Sequence, residues 1–331
     1  MLWAEFIFSA VIIIFAGSRL TLYADILSDR YNIHKAWIGV ALLGMITSIP
    51  EAITSIAAVS VGAIDLAVGN ILGSNNINPM IIVVMDAMYR KGSITDSVDS
   101  NRAHTISALF AIILSMIVLG QIYLSPRIPG PCTGYIVLGD FLIAGLYFYG
   151  IKVLASQGEE PSVLEPQVSG GSKDVSLFRI YGNLVLCAVL VIAAAIWLAN
   201  VGDRLAETTG LGETFFGSTF LAFVTSLPEM VVSISAVRLG SFGLAIGNIF
   251  GSNMVNIFIL VLCDVFFRQG SILVFASQTH IITIVLSAIL VSLPVIGINL
   301  KNKKKILWLG WDSVMMTIIF LLGSWIIYYL R

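Results

Sequence analysis

The chain has 331 residues, of which 58% are hydrophobic and only 11% are charged, and its formal net charge is −1. Its mean hydropathy of +0.96 excludes an ordinary soluble domain, because a water-soluble fold cannot bury that much apolar surface. The near-zero net charge also gives no reason to expect a nucleic-acid partner. The sequence therefore predicts a protein whose main partner is the lipid bilayer.

Ten apolar runs are long enough to cross a bilayer, which takes about 20 residues. The first run has no basic segment before it and no small-residue cleavage site, so it is interpreted as a retained helix and not a signal peptide. The three cysteines, Cys132, Cys187 and Cys263, lack metal-binding spacing and are interpreted as packing residues. The predicted helices are 2–24, 37–61, 65–89, 103–124, 133–155, 179–200, 212–238, 243–267, 277–299 and 306–329.

One polar segment, 156–177, interrupts the apolar pattern and is rich in Gly, Ser, Pro and Glu. Such a composition predicts a flexible linker. It separates a first five-helix repeat, 1–155, from a second, 178–331. Of the 18 Lys and Arg residues, 13 fall in loops on the side of the linker and 4 on the opposite side. The positive-inside rule then predicts a cytoplasmic linker and both termini outside.

The two halves are related by a constant shift of 178 residues. TSIPE (47–51) becomes TSLPE (225–229), and GNILGSNNIN (69–78) becomes GNIFGSNMVN (247–256). An ungapped offset over some forty residues indicates duplication. Because each half has an odd number of helices, the second must insert upside down, and inverted repeats with interrupted helices are typical of transporters. The repeat motifs extend over about 42–86 and 220–264.

Each half places a proline and a glutamate inside an apolar run, as Pro50 with Glu51 and Pro228 with Glu229. A proline within a helix removes one hydrogen bond and displaces the carbonyl four residues earlier. An ionised carboxylate at the bilayer centre costs roughly 2.5–3.5 kcal/mol or more, which a bound cation would offset. We therefore expect broken helices around a polar cavity. Backbone carbonyls are expected to be freed near Gly44, Ile46 and Thr47, and near Ala222, Val224 and Thr225.

Further oxygen-bearing side chains lie on the same helical sides as the glutamates. Thr47 and Ser48 share one side of a helix with Glu51, and Ser74–Asn78 and Ser252–Asn256 are i, i+4 pairs. Oxygen ligands without Cys or His favour hard cations such as Na⁺ and Ca²⁺. Two other groups are given structural interpretations, close helix packing for the glycines and interhelical hydrogen bonding for the asparagines. These are Gly69, Gly73, Gly247 and Gly251, and Asn70, Asn75, Asn248 and Asn253.

The motifs TSIPE…GNILGSNNIN (47–78) and TSLPE…GNIFGSNMVN (225–256) resemble the two α-repeats of the sodium/calcium exchanger family, within the cation/calcium antiporters. The match covers about 45 residues in each half, and the ten-helix plan extends it to the whole chain. The resemblance implies a prokaryotic-type, plasma-membrane antiporter that exchanges Ca²⁺ for Na⁺ without a cofactor. It implies four cation sites between helices 2, 3, 7 and 8, two glutamates shared between Ca²⁺ and Na⁺ sites, and helices 1 and 6 sliding to alternate access. The implied ligands are Thr47, Ser48, Glu51, Ser74, Asn78, Thr225, Ser226, Glu229, Ser252 and Asn256, with backbone oxygens of Gly44 and Ala222.

The central position of each repeat is an amide, Asn78 and Asn256. In having asparagine at both places, the sequence resembles potassium-independent exchangers. Potassium-dependent members of the family have aspartate at the position of Asn256. Two glutamates give a charge of −2, which one Ca²⁺ neutralises. Pro79 departs from the usual apolar run of the family and is expected to alter the helix after Asn78.

Four other ionisable residues have weaker signals. Asp86 and Asp264 are 178 apart and are expected either to contact a neighbour at a helix end or to lie on the ion path. His104 and His280 fall near helix starts and are predicted to be interfacial.

Three other functions remain open from the residues. A proton-coupled cation antiporter could use the same glutamates, since carboxylates also carry protons. A channel shares the oxygen chemistry but fits single central carboxylates in two-fold inverted repeats less well. An intramembrane aspartyl protease would pair Asp86 with Asp140, but the Gly-x-Gly-Asp pattern fails at Val137. Transport, and not enzymatic activity, is therefore predicted.

Overall fold

The computed structural model describes residues 1–89, 93–98, 101–125, 133–157, 176–208, 221–267, 271–301, 305–306 and 309–330. In the first half, α1 is Leu2–Tyr31, α5 is Ile64–Tyr89, α6 is Asn101–Leu124 and α7 is Thr133–Ala155. Between α1 and α5 lies a broken helix, composed of α2 (Lys35–Ile38), a π-helical turn (Gly39–Leu43), α3 (Gly44–Thr47) and α4 (Ile49–Ser60). A short 3₁₀ turn, Thr95–Ser97, follows α5.

The second half contains α8 (Leu177–Thr208), α9 (Leu227–Arg238), α10 (Phe242–Phe266), α11 (Ile272–Phe275), α12 (His280–Leu300) and α13 (Trp311–Leu330). Residues 221–225 are also helical and lead into α9. A two-residue antiparallel pair, β1 (Lys305–Ile306) with β2 (Leu309–Gly310), precedes α13. The described parts of the apolar runs in the second half are largely helical, as expected, whereas residues 212–220 of the seventh run lie outside the described residues.

Seven of the described helices are long and apolar enough to cross a membrane, and the broken helix makes an eighth if its two arms count as one span. The seven are α1, α6, α7, α8, α10, α12 and α13. The chain is therefore a helical, polytopic membrane protein. The count of ten crossings stays a prediction.

Helix ends differ from the apolar runs that predicted them. Helix α1 was expected to end at residue 24 but continues to Tyr31, where Asn32 closes it in the left-handed conformation with φ 53°. Helix α8 continues to Thr208, and α13 begins at Trp311 because the β1–β2 pair occupies residues that were predicted to be helical. The physical reason is that a helix ends where its backbone is capped, not where its side chains stop being apolar.

Each expected break lies at the residue just before the helix that contains the proline, at Ser48 before α4 and at Ser226 before α9. The two arms of the broken helix meet at Ser48 with a bend of 41°. Pro50 and Pro228 lie at the second positions of α4 and α9, where a missing N–H is tolerated. Each proline therefore starts a helix and places the following glutamate in the first turn, near the positive end of the helix dipole.

Two features of the backbone differ from those expected from the sequence. The carbonyl of Gly44 accepts the N–H of Ser48 at 3.2 Å, and that of Ala222 accepts the N–H of Ser226 at 3.1 Å. These oxygens are therefore not freed as expected, although a carbonyl keeps a second lone pair for another partner. Pro79 does not interrupt α5, which is continuous from Ile64 to Tyr89.

Helix α10 lies at the centre of the fold and is buried over most of its length. It packs against the broken helix, and also against α5, α6 and α9. A Cβ atom on Gly247 would lie 2.6 Å from the Ala36 carbonyl, and one on Gly251 would lie 2.5 Å from the Cα of Val40. The packing role expected for these glycines is confirmed, because only glycine lets the two backbones approach this closely.

Candidate cation site

The two glutamates are completely buried, each with 0% of its surface exposed. Their carboxyl groups are close enough to interact electrostatically. Glu229 Oε1 accepts a hydrogen bond from Ser48 Oγ at 3.2 Å. Among the described residues, neither oxygen of Glu51 has a hydrogen-bond partner, and neither does Oε2 of Glu229. The structure thus brings together two carboxyl groups whose oxygens are largely unsatisfied by the protein.

Hydroxyl groups from both repeats surround the carboxyl groups. Thr47 Oγ1 lies 3.3 Å from Ser252 Oγ, and Ser252 Oγ donates to the Gly44 carbonyl at 3.5 Å. Glu229 lies beside Thr47, Ser48 and Ser252, and Glu51 lies beside Thr225. Each glutamate is therefore adjacent to a hydroxyl group of the other repeat, so these predicted ligands from the two halves lie together.

Four asparagines join α5 to α10 by reciprocal hydrogen bonds. Asn75 Nδ2 donates to the Asn253 carbonyl at 3.3 Å, and Asn253 Nδ2 donates to the Asn75 carbonyl at 3.2 Å. Asn78 Nδ2 donates to Asn253 Oδ1 at 2.9 Å, and Asn256 Nδ2 donates to Asn75 Oδ1 at 3.0 Å. The interhelical role predicted for Asn75 and Asn253 is confirmed, and the 178-residue repeat is visible in matching contacts.

A second reciprocal set supports the threonines. Thr47 Oγ1 donates to Asn248 Oδ1 at 3.3 Å, and Thr225 Oγ1 donates to Asn70 Oδ1 at 3.3 Å. The interhelical role predicted for these two asparagines is likewise confirmed.

The same asparagines donate hydrogen bonds to two serines that were not predicted from the sequence. Asn70 Nδ2 donates to Ser55 Oγ at 3.1 Å, and Asn248 Nδ2 donates to Ser233 Oγ at 2.9 Å. Ser55 and Ser233 also obey the 178-residue shift, which is the signal that could have identified them.

All twelve predicted ligands are buried. Buried oxygens without a partner are costly and uncommon in proteins, so they mark places where another ligand is expected. Among the described side chains, several such oxygens belong to the predicted ligands. They are both carboxyl oxygens of Glu51, Oε2 of Glu229, Oγ of Ser74 and Ser226, and Oδ1 of Asn78 and Asn256.

The outlying aspartates make helix-end contacts. Asp86 accepts the backbone N–H of Ile94 at 2.8 Å and that of Gly310 at 2.6 Å. Asp264 accepts the N–H of Ile272 at 2.6 Å, which is the same contact shifted by 178 residues. Of the two expected roles, the structure therefore supports the helix-end contact.

Asp140 lies beside Asp264 and accepts from Gln121 Nε2 at 3.4 Å. Both oxygens of Asp86 are occupied by backbone N–H groups, as described above. Asp86 and Asp140 thus have different partners, and no hydrogen bond joins them among the described residues.

The two histidines differ in their surroundings. His280 begins α12 and lies 3.1 Å from Asp65 Oδ1. His104, in the first turn of α6, is fully buried within the protein and does not lie on its surface. Neither histidine is in contact with the predicted ligands in the hydrogen bonds of the described residues.

Comparison with known families agrees with this geometry. The chain matches the profile described as sodium/calcium exchanger protein over residues 1–149 and 180–330. It therefore belongs to the sodium/calcium exchanger family. Members of this family are transporters and not enzymes, and they use the transported ions without a cofactor. The protein is accordingly a multi-pass membrane protein for cation and Ca²⁺ exchange.

Individual relatives cover most of the chain. The inner membrane protein YrbG of Escherichia coli strain K12 is 29% identical over 274 residues, 81% of each chain. The sodium/calcium exchanger MaX1 of Methanosarcina acetivorans is 26% identical over 273 residues, which cover 72% of this chain and 75% of MaX1. The structure of the sodium-calcium exchanger NCX_Mj, soaked with 100 mM Na⁺ and 10 mM Sr²⁺, matches with a TM-score of 0.72 and 18% identity over 98% of both chains. That structural likeness shows a shared fold.

Proposed function

We propose that the protein is a secondary active antiporter that exchanges Ca²⁺ for Na⁺ by alternating access. The cations would bind near the middle of the membrane, between the two glutamates and the surrounding hydroxyl, amide and carbonyl oxygens. The proposed ligands are the twelve residues that the sequence predicted. Na⁺ as the coupling ion is supported by this oxygen set and by the name of MaX1.

The observation that carries the proposal is the set of unpartnered, buried carboxyl oxygens of Glu51 and Glu229. A buried carboxylate is stable only when a positive charge or a proton compensates it. Hydroxyl and amide oxygens complete a ligand set that Ca²⁺ accepts, since it takes six to eight oxygen ligands. One Ca²⁺ balances two carboxylates, and Na⁺ ions can replace it at the same oxygens.

The arrangement of helices supports alternating access. Helices α1 and α8 pack extensively against each other and against the helices that carry the glutamates. They contribute none of the predicted ligands. We propose that they are the mobile elements, that the repeats are inverted in a ten-helix plan, and that the linker is cytoplasmic with both termini outside, in the plasma membrane.

Uptake of ⁴⁵Ca²⁺ into proteoliposomes loaded with Na⁺, K⁺ or neither, at clamped pH, tests the coupling. We expect saturable uptake that needs internal Na⁺. Uptake that needs a pH gradient and ignores Na⁺ would establish the proton-coupled alternative. Flux that needs no counter-ion and does not saturate would indicate a channel.

A further inference from the structure

The orientation of the central amides depends on residues outside the predicted ligand set. Asn78 and Asn256 can each present either an oxygen or an NH₂ group to a cation, and only the oxygen can bind one. The two ends of an amide are similar in shape, so hydrogen-bond partners decide which end points where. The contacts of Asn75 and Asn253 determine this for both central positions.

The chain of contacts begins at a backbone carbonyl, which can only accept. The Asn253 carbonyl faces the amide of Asn75 at 3.3 Å, so the Asn75 NH₂ group must point to it. Asn75 Oδ1 then faces Asn256 and needs a donor, which Asn256 Nδ2 supplies at 3.0 Å. The Asn256 oxygen is consequently directed away from Asn75. It is buried and has no partner within the described residues.

The matching contacts from the other repeat orient Asn78 in the same way. The Asn75 carbonyl fixes the NH₂ group of Asn253 at 3.2 Å, and Asn253 Oδ1 accepts from Asn78 Nδ2 at 2.9 Å. The Asn78 oxygen is left buried, and no described residue is its hydrogen-bond partner. Reversing either supporting amide would oppose two donors at one end and two acceptors at the other, so both orientations are fixed together.

We propose that Asn75 and Asn253 are positioning residues, each of which orients the central asparagine of the other repeat so that its oxygen faces the cation. This inference rests on the proposed function, because it assumes that Asn78 and Asn256 bind the transported ion. It adds two residues that act through their neighbours and do not contact the ion themselves. It also predicts a crossed pattern of coupling, with Asn75 acting on Asn256 and Asn253 acting on Asn78.

A double-mutant cycle tests the crossed pattern through the KM for Ca²⁺ in Na⁺-loaded proteoliposomes. We expect Asn75→Ala to raise KM about tenfold, equivalent to about 1.4 kcal/mol, when Asn256 is present. In the Asn256→Ala background the same change should alter KM less than about twofold, since there is no longer an amide to orient. In the Asn78→Ala background the full tenfold effect should remain.

The mirror cycle uses Asn253→Ala with Asn78→Ala, and its control background is Asn256→Ala. Thermal unfolding without Ca²⁺ is measured for every variant, because a residue that only holds helices together would lower stability without coupling to one particular partner. If the Asn75→Ala protein does not reach the membrane, Asn75→Ser is used in its place, because a serine side chain at this position is too short to reach Asn256.

Equal effects of Asn75→Ala in all backgrounds would overturn the positioning role. Coupling of Asn75 to Asn78 instead of Asn256 would overturn it as well. Failure of the proposed function is a different result: Asn256→Ala and Glu51→Gln would then both leave Ca²⁺ exchange unchanged.

Discussion

Replacing Glu51 by glutamine tests whether the buried carboxyl groups bind the transported ion. The substitution keeps the size of the side chain and removes one of the two negative charges. Glu51 makes no hydrogen bond to a described residue through its carboxyl oxygens, so the ion-free protein loses no side-chain hydrogen bond to those residues. Glu229→Gln is the matched variant, and Oε1 of the new amide can still accept from Ser48.

The size of the effect follows from the burial of both groups. Removing one partner of a buried charge interaction costs about 3–5 kcal/mol. Because each 1.4 kcal/mol is a factor of ten, the Kd for Ca²⁺ should rise by about 100-fold to about 4,000-fold. Exchange at Ca²⁺ concentrations that support the wild-type protein should therefore be abolished, while the protein still folds.

Thermal unfolding with and without Ca²⁺ measures binding independently of transport. At about 100 times the wild-type Kd, Ca²⁺ should stabilise the wild-type protein by about 2.7 kcal/mol. A variant that binds a hundredfold more weakly would gain only about 0.4 kcal/mol at that concentration.

Asp65→Asn serves as a control, because Asp65 is an exposed carboxylate at the start of α5 that contacts Ser277 and His280. It should exchange Ca²⁺ normally. Near-normal Ca²⁺ exchange by Glu51→Gln or Glu229→Gln would refute the reasoning that the two carboxyl groups share the ion.

Three further predictions follow from the repeat and its packing. Asn256→Asp should make Ca²⁺ exchange sensitive to pH or K⁺ with little loss of stability, since a third carboxylate needs a proton or monovalent cation; proteoliposome flux at several pH values, with and without K⁺, checks this. A cysteine in the linker, Ser169→Cys, should resist an impermeant reagent added to intact cells, whereas one added after Arg331 should react. Gly251→Ala should destabilise the protein by roughly 1–3 kcal/mol, as overpacking does, because its Cβ would lie 2.5 Å from the Cα of Val40; thermal unfolding of the purified protein measures it.

The burial of the candidate site residues could be predicted from the sequence because their signal is local and occurs twice. A proline and a glutamate inside an apolar run are unusual once, and a copy 178 residues later makes coincidence a poor explanation. The break at Ser48 and the burial of both glutamates follow from the same pattern. The break at Ser48 could be predicted from the sequence alone, because the proline that lacks a backbone N–H and the glutamate beside it lie within five consecutive residues.

The orientation of the ligand atoms could not be predicted in this way. Whether Asn78 presents its oxygen or its NH₂ group depends on Asn253, which is 175 positions away and belongs to the other repeat. Helix ends were also missed, since α1 ends at Tyr31, seven residues beyond the predicted end, where Asn32 caps it. Both depend on the partner that a polar group finds after folding.

The duplicated core and the helices around it do not share the same symmetry. In the core, the asparagine hydrogen bonds occur in pairs related by the shift. Gly62 and Gly240 likewise both have a positive φ, 84° and 80°. Helix α1, by contrast, is tied to α9 by Ser18 Oγ to Ser235 Oγ at 2.9 Å and by Thr21 Oγ1 to the Val232 carbonyl at 3.2 Å.

The positions on α8 that correspond to Ser18 and Thr21 are Ile196 and Ala199, which cannot make these bonds. Each neutral hydrogen bond contributes about 1 kcal/mol net. Arrangements that exchange the environments of α1 and α8 would therefore differ in free energy by a few such contributions. If these two helices move as proposed, the asymmetry of their hydrogen bonds contributes to which side of the protein is open when no ion gradient acts on it.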